Sequence, residues 1–258
     1  MISPLAYVHP DARIGEGVEI GPFCNISANV EIGARTKLLG SVTVMDGARI
    51  GEDCTVFPGA VIAGIPQDMK FRGEESLAII GNRCTLRECV TVNRGTASKG
   101  KTVIGDDCLI MAYSHVAHDC VLGNKIIMSN ATQLAGEVVV DDCAVIGGGT
   151  LVHQFSHIGA YVMIQGGALI NKDIPPYILA AREPISFVGL NVVGLRRRGF
   201  SEDKIETIQR VYNVLFLSGL NITNALEKIE SEIPSSPIRD EIIDFVRKAD
   251  RGIVKGMR

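Results

Sequence analysis

From Val8 to Ile170 every sixth residue of this chain is aliphatic, with Asp68, Glu74 and Ser98 as the only breaks. The beat passes through Ile14, Ile20, Ile26 and Ile32 near its start and through Ile146, Val152, Ile158, Ile164 and Ile170 at its end. In a chain that is 46% hydrophobic overall, a series this regular marks a repeat architecture. A period of six is too long for the alternation of an ordinary strand and does not match the 3.6-residue turn of a helix. It fits a parallel β-helix of short strands and tight corners, with the beat residue pointing inward and a small residue four positions later.

Two further columns follow the beat. Glycine comes directly after it at Gly15, Gly21, Gly33, Gly51, Gly105 and Gly147, where it is expected to relieve crowding as the chain bends. Cys24, Cys54, Cys84, Cys108 and Cys120 each lie four residues after a beat position, so they are expected to be interior thiols. Cys89 and Cys143 lie off that column, and the absence of any Cys-x-x-Cys spacing argues against a disulfide or zinc framework.

Net charge −3 and a pI near 6.0 exclude the broad basic field that nucleic-acid binding needs. No apolar run approaches the roughly 20 residues that span a bilayer, and residues 1–10 do not look like a secretion leader. A cytoplasmic location is the expectation, with no integral membrane segment.

The hexads resemble those of the left-handed β-helix acyltransferases, whose coils are triangular prisms of three hexads. That resemblance implies a mainly β fold in which residues 18 apart stack at about the spacing of neighbouring strands, ~4.8 Å. The β-helix is expected over 1–190, with loops thrown out near 63–79 and 93–103. A small helical unit is expected over 191–258, with helices starting near Ser201, near Ile222 and at Pro237.

Four of the five histidines fall in two groups, His115 with His118 and His153 with His157. The 18-residue period stacks His118, Gly136 and Gln154 in one column and Asp119 beneath Glu137. An imidazole, a glycine backbone and an amide so aligned have the parts of an acyl-transfer site: base, oxyanion donor and orienting group. Asp119 adjoins His118 and would fix its tautomer. Surface histidines in polar turns are the plainer alternative. Zinc held by three histidines, as in β-helix carbonic anhydrases, is another; here the two groups lie on different columns and no ligand set assembles within one chain. Neither metal nor cofactor is expected. Arg196-Arg197-Arg198 is the one dense basic run, either a solvated cluster or a holder of a diphosphate or an acidic carrier protein.

Several longer motifs are similar to the UDP-N-acetylglucosamine O-acyltransferases that begin lipid A (lipopolysaccharide) synthesis. They include Gln67-Asp68-Met69-Lys70, Asn93-Arg94-Gly95-Thr96, His115-Val116-Ala117-His118-Asp119-Cys120, Val152-His153-Gln154-Phe155, Asp173-Ile174-Pro175-Pro176-Tyr177 and Asn191 to Phe200. The resemblance covers essentially the whole chain. It implies transfer of an (R)-3-hydroxyacyl group from acyl carrier protein to the sugar 3-hydroxyl, in a homotrimer with sites between neighbouring prisms. By the same resemblance His118 is the general base, Asp119 orients it and the Gly136 amide stabilises the oxyanion. Asp68, Lys70, His115, His153, Gln154, Asn191, Arg197 and Arg198 would hold the sugar nucleotide, and Glu137, from its own place beside the oxyanion glycine, would grip a sugar hydroxyl directly. Gly166 falls at the acyl-length ruler and would leave room for a long chain. Two positions depart from the family pattern: Glu137, where a second histidine is usual, and Val193, where an acidic residue is usual.

The related N-acyltransferases normally carry an N-terminal uridine-binding domain, for which a beat starting at Val8 leaves no room. An ice-binding β-helix would show threonine columns, which are absent.

Overall fold

A computed structural model describes residues 1–256. Strands of mostly two residues build three sheets of 9, 8 and 11 strands, parallel throughout the coils, where each strand bonds to its counterparts one coil away. Tyr7 pairs with Asn25 and His115 with Gln133, so one coil is 18 residues. At two places the coil is longer: Val61 pairs with Thr91 at a separation of 30, and Thr91 with His115 at 24.

The beat residues fill the prism, with Ile26, Val44, Val56, Ile110, Leu134 and Ile164 fully buried. The column four residues on is buried too, and it has a second task. Thr36, Cys54, Cys84, Ser114, Cys120 and Thr150 each direct a hydroxyl or thiol to a backbone carbonyl of the next coil, as in Thr36 Oγ1 to Gly51 O (2.8 Å) and Cys84 Sγ to Gly105 O (3.0 Å). Small donors of this size both fit the column and tie neighbouring coils together, which is why Cys, Ser and Thr alternate there. Cys89 is exposed and Cys143 half-buried, as their off-column positions imply.

The glycine column has a different cause from the one expected. These glycines are not among the residues with positive φ. They face the backbone of the next coil so closely that a Cβ at Gly33 would stand 2.6 Å from the Gly51 carbonyl carbon, and one at Gly105 would stand 2.6 Å from Gly123 O. The left-handed conformation falls two positions after that column, on glycine in some turns, such as Gly17 and Gly149, and on residues with side chains in others: Asp107 (φ 59°), Tyr113 (61°), Asp119 (61°), Glu137 (61°) and Phe155 (65°). Short polar residues bear this best, because they can bond to nearby backbone; Asp119 does so.

Two loops leave the prism, 65–76 and 94–100, and they contain all three breaks in the beat. Both are shorter than expected, because Leu77–Ile80 and Lys101–Ile104 extend into four-residue strands that pair with each other throughout.

After Ile170 a strand at Ile178–Ala181 continues one sheet and turns back antiparallel as Ser186–Leu190. Four α-helices follow: α1 (Val192–Arg197), α2 (Glu202–Tyr212), α3 (Ile222–Glu232) and α4 (Pro237–Arg247). The apolar spacing anticipates the last three. It misses α1, a six-residue helix too short for a period, which the Asn191 side chain caps by accepting from Gly194 N. The helices close the end of the prism and share its core: Phe187, Tyr212 and Phe216 stack at 4.6–5.7 Å, and the fully buried Tyr212 hydroxyl donates to Pro176 O at 2.7 Å. Tyr212→Phe leaves that buried carbonyl without its donor, so a loss of about 1–3 kcal/mol is expected. Thermal unfolding measures it, and an unchanged Tm would show that the bond contributes nothing. Among the described residues no helix is long and apolar enough to cross a membrane.

Candidate active site

Each coil turns a corner between the sheet containing His115–Val116 and the sheet containing Val121–Leu122. Loop 65–76 leaves from this corner, between Val61–Gly64 and Leu77–Ile80. Loop 94–100 leaves from it one coil later, between Thr91–Asn93 and Lys101–Ile104. The next three turns at the same edge carry His118, Gly136 and Gln154. Glu137 N donates to His118 O (3.0 Å) and Phe155 N to Gly136 O (3.2 Å), which places the three turns in the stacked order the period implies.

His118 is 8% exposed and Asp119 fully buried, with His118 Nδ1 2.9 Å from Asp119 Oδ2. A carboxylate opposite Nδ1 keeps the proton there and leaves the lone pair on Nε2. That edge of the ring lies over Gly136: a Cβ on Gly136 would come within 2.5 Å of both Cε1 and Nε2. Only glycine lets the imidazole lie so close to the next coil. The Gly136 N–H makes no hydrogen bond among the described residues, so a donor stands free beside the ring.

Burial pushes the Asp119 carboxyl up, but hydrogen bonds from Thr96 and then His118 outweigh it and hold the group below its ordinary value. Its contribution to stability is therefore present above the ordinary carboxylate range and is lost as pH falls from there through the group's lowered value. Its Oδ2 accepts from Thr96 Oγ1 at 2.6 Å, and its Oδ1 accepts from the N–H groups of Thr96 (3.0 Å) and Lys99 (3.2 Å). The bonds that Thr96 and Lys99 make to Asp119 are not anticipated from the sequence, although Thr96 lies in one of the family-like motifs. Their loop lengthens the coil, so no fixed period points from Asp119 to them.

The other expected residues divide. His115 is on the strand leading into the corner, 2.7 Å from Thr91 Oγ1, and burial followed by its neighbour His118 lowers its pKa, so it is neutral at pH 7. Glu137 follows Gly136, with Lys99 Nζ 3.8 Å from its carboxylate in a half-exposed pair of small energetic weight. His153 is exposed, its Nδ1 3.0 Å from Gln154 O, and the Gln154 side chain makes no hydrogen bond among the described residues. Asp68 and Lys70 are on the longer loop, where Asp68 Oδ1 accepts from Lys70 N (2.9 Å), and no hydrogen bond or ion pair among the described residues joins them to His118. Asn191 uses both ends of its amide, capping α1 and donating to Tyr161 O. Of the arginine run, Arg196 is paired with Glu202, whereas the Arg197 and Arg198 side chains are exposed and without partners among the described residues. Gly166 lies on another edge of the prism, between Met163–Ile164 and Leu169–Ile170, stacked on Gly148.

His157, grouped with His153 by sequence, belongs elsewhere. Its Nε2 is 2.8 Å from Asp141, its N–H donates to Asp173 and its ring packs on Phe245 of α4. Among the described residues no group of three or more His, Cys, Asp or Glu is arranged to hold a metal ion.

Comparison with known proteins matches the model described as Udp N-acetylglucosamine O-acyltransferase, domain 2, to residues 173–254 and the bacterial transferase hexapeptide model to residues 101–130. A model of the GMPPB C-terminal domain matches residues 2–103. An acyl-[acyl-carrier-protein]–UDP-N-acetylglucosamine O-acyltransferase of Thermodesulfovibrio yellowstonii is 43% identical over 98% of this chain and 99% of its own. The crystal structure of a UDP-N-acetylglucosamine acyltransferase from Bacteroides fragilis is 54% identical, with a TM-score of 0.97 over 99% of this chain and 100% of that one. The enzyme of Francisella novicida is 38% identical, with a TM-score of 0.96 over 99% and 94% of the two chains. Identity and shape thus agree along nearly the full length, and the chain belongs to the UDP-N-acetylglucosamine O-acyltransferase family of left-handed β-helix proteins.

Proposed function

We propose that this chain transfers an (R)-3-hydroxyacyl group from acyl carrier protein to the 3-hydroxyl of UDP-N-acetylglucosamine, by general-base catalysis without an acyl-enzyme or a cofactor. The observation that carries this is the His118 ring, bonded through Nδ1 to Asp119 and lying with Nε2 close against Gly136, whose N–H makes no hydrogen bond among the described residues. Nε2 takes the proton of the sugar hydroxyl as its oxygen attacks the thioester carbon. The Gly136 N–H donates to the oxyanion of the tetrahedral intermediate. Collapse breaks the C–S bond, and the imidazolium returns its proton to the departing thiolate. Asp68, Lys70, His115, Glu137, His153, Gln154 and Asn191 contact the sugar nucleotide, and the unpaired Arg197 and Arg198 take its diphosphate.

His118 and Gly166 lie on different edges of one prism. An acyl chain that starts at His118 of one copy and ends at Gly166 of a neighbour would lie in a cleft between the two, the arrangement that a homotrimer with sites between prisms provides.

The test is a competition among (R)-3-hydroxyacyl carrier proteins of graded length with UDP-N-acetylglucosamine as acceptor. Ester product is expected, with long chains preferred. Gly166→Met fills space beside Gly148 and should move the preference to shorter chains by several carbons without lowering turnover of the shortest donors. Absence of product with every donor would overturn the assigned reaction, and an unchanged length preference would remove Gly166 from the tunnel.

A further inference from the structure

We propose that Thr96 is a positioning residue for the base, acting through Asp119, so that loop 94–100 forms part of the catalytic apparatus. This rests on His118 as the base. Asp119 Oδ2, which receives His118 Nδ1, also receives Thr96 Oγ1 at 2.6 Å. A neighbour settles the direction of that second bond: Ser98 N–H donates to Thr96 Oγ1 at 3.2 Å, so the hydroxyl accepts there and points its single proton at Asp119. The other carboxylate oxygen is held by the N–H groups of Thr96 and Lys99, and the Asp119 N–H donates to Thr102 Oγ1 at 2.9 Å. Apart from His118, every group that orients this carboxylate comes from loop 94–100, and the strand that follows the loop holds its backbone.

Two effects follow from the shared oxygen. The carboxylate plane is locked, and the imidazole plane with it. The charge on Oδ2 is also divided between two donors, which moderates its hold on a protonated imidazole. That moderation matters because His118 must release its proton to the leaving thiolate.

The other titratable or charged groups packed here are already engaged. His115 pairs with Thr91, and the Cys120 thiol donates to Ala135 O at 3.1 Å. The Lys99 ammonium donates to Asp119 O at 3.3 Å and stands 3.8 Å from Glu137. None of them reaches Oδ2, so none replaces the hydroxyl. Thr96 is itself 6% exposed, which fits a role exerted through Asp119 rather than on substrate.

Thr96→Val keeps the side-chain shape and removes the donor. Its kcat should fall about 10-fold, the value of one charge-assisted hydrogen bond partly transmitted to the base. The acid limb of its kcat/KM profile should move to higher pH by about half a unit to one unit, because the freed oxygen then holds the protonated ring more strongly. Thr96→Ser should return both quantities to the parent values. Thr96→Ala should show the same displaced limb, and it carries the test if the valine variant does not fold. An unmoved limb overturns the proposal even where kcat and Tm both fall, since a purely structural threonine would behave that way. His118→Ala in the same series separates the two levels. Full activity there removes the base, whereas an inactive His118→Ala beside an unmoved limb removes Thr96 alone.

Discussion

His118→Ala lowers kcat by about 10²- to 10⁴-fold, the usual span for a general base, with little change in the KM of the sugar nucleotide. The fold should persist, because Asp119 retains three donors from Thr96 and Lys99 when the imidazole is gone. Steady-state kinetics beside a thermal melt checks both halves. Full activity in a folded variant would falsify the assignment of Nε2 as the atom that receives the proton.

Gly136→Ala should be nearly as damaging for a different reason. The new methyl would stand 2.5 Å from Cε1 and Nε2, and the ring, tied to Asp119, has no low-cost way to retreat. Either the His118–Asp119 bond breaks or the turn shifts and takes the free N–H with it. A loss of about 10²- to 10³-fold in kcat is expected, the range for removing one oxyanion donor, with about 1–3 kcal/mol of overpacking. A double-mutant cycle makes the cause visible. In a His118→Ala background the methyl meets no ring, so most of the stability cost should vanish. If the cost is the same in both backgrounds, the clash is not with His118.

The stacking of His118, Gly136 and Gln154 was legible in the sequence because a strict period turns residue numbers into height along an axis. The roof over Asp119 was not. Thr96 reaches it from a coil stretched to 24 residues, and only the structure shows how a loop of that length folds back over the corner it left. The short helix carrying Arg197 escaped for lack of any apolar rhythm, although Asn191 followed by Gly194 was its available signal. Glycine placement was seen and its cause mistaken, because one chain's residues do not reveal how closely the next turn approaches. Glu137 was expected one rung from Asp119, but its neighbour Lys99 belongs to the same hidden loop.

Because each coil bonds only to the coils on either side, resistance to opening is a property of position along the stack. Among the described residues the first coil, which holds Ile2 and Tyr7, has a neighbouring coil on one side only, whereas the helices seal the opposite end, so opening is expected to start at that first coil. The corner with His118 lies several coils in from the first, so a front that melts the first two or three turns can pass and re-form without disturbing it. Backbone amide exchange should therefore rise steeply toward residue 1 while the turns at 118 and 136 stay protected. Fluctuation would be confined to the part of the protein that does no chemistry.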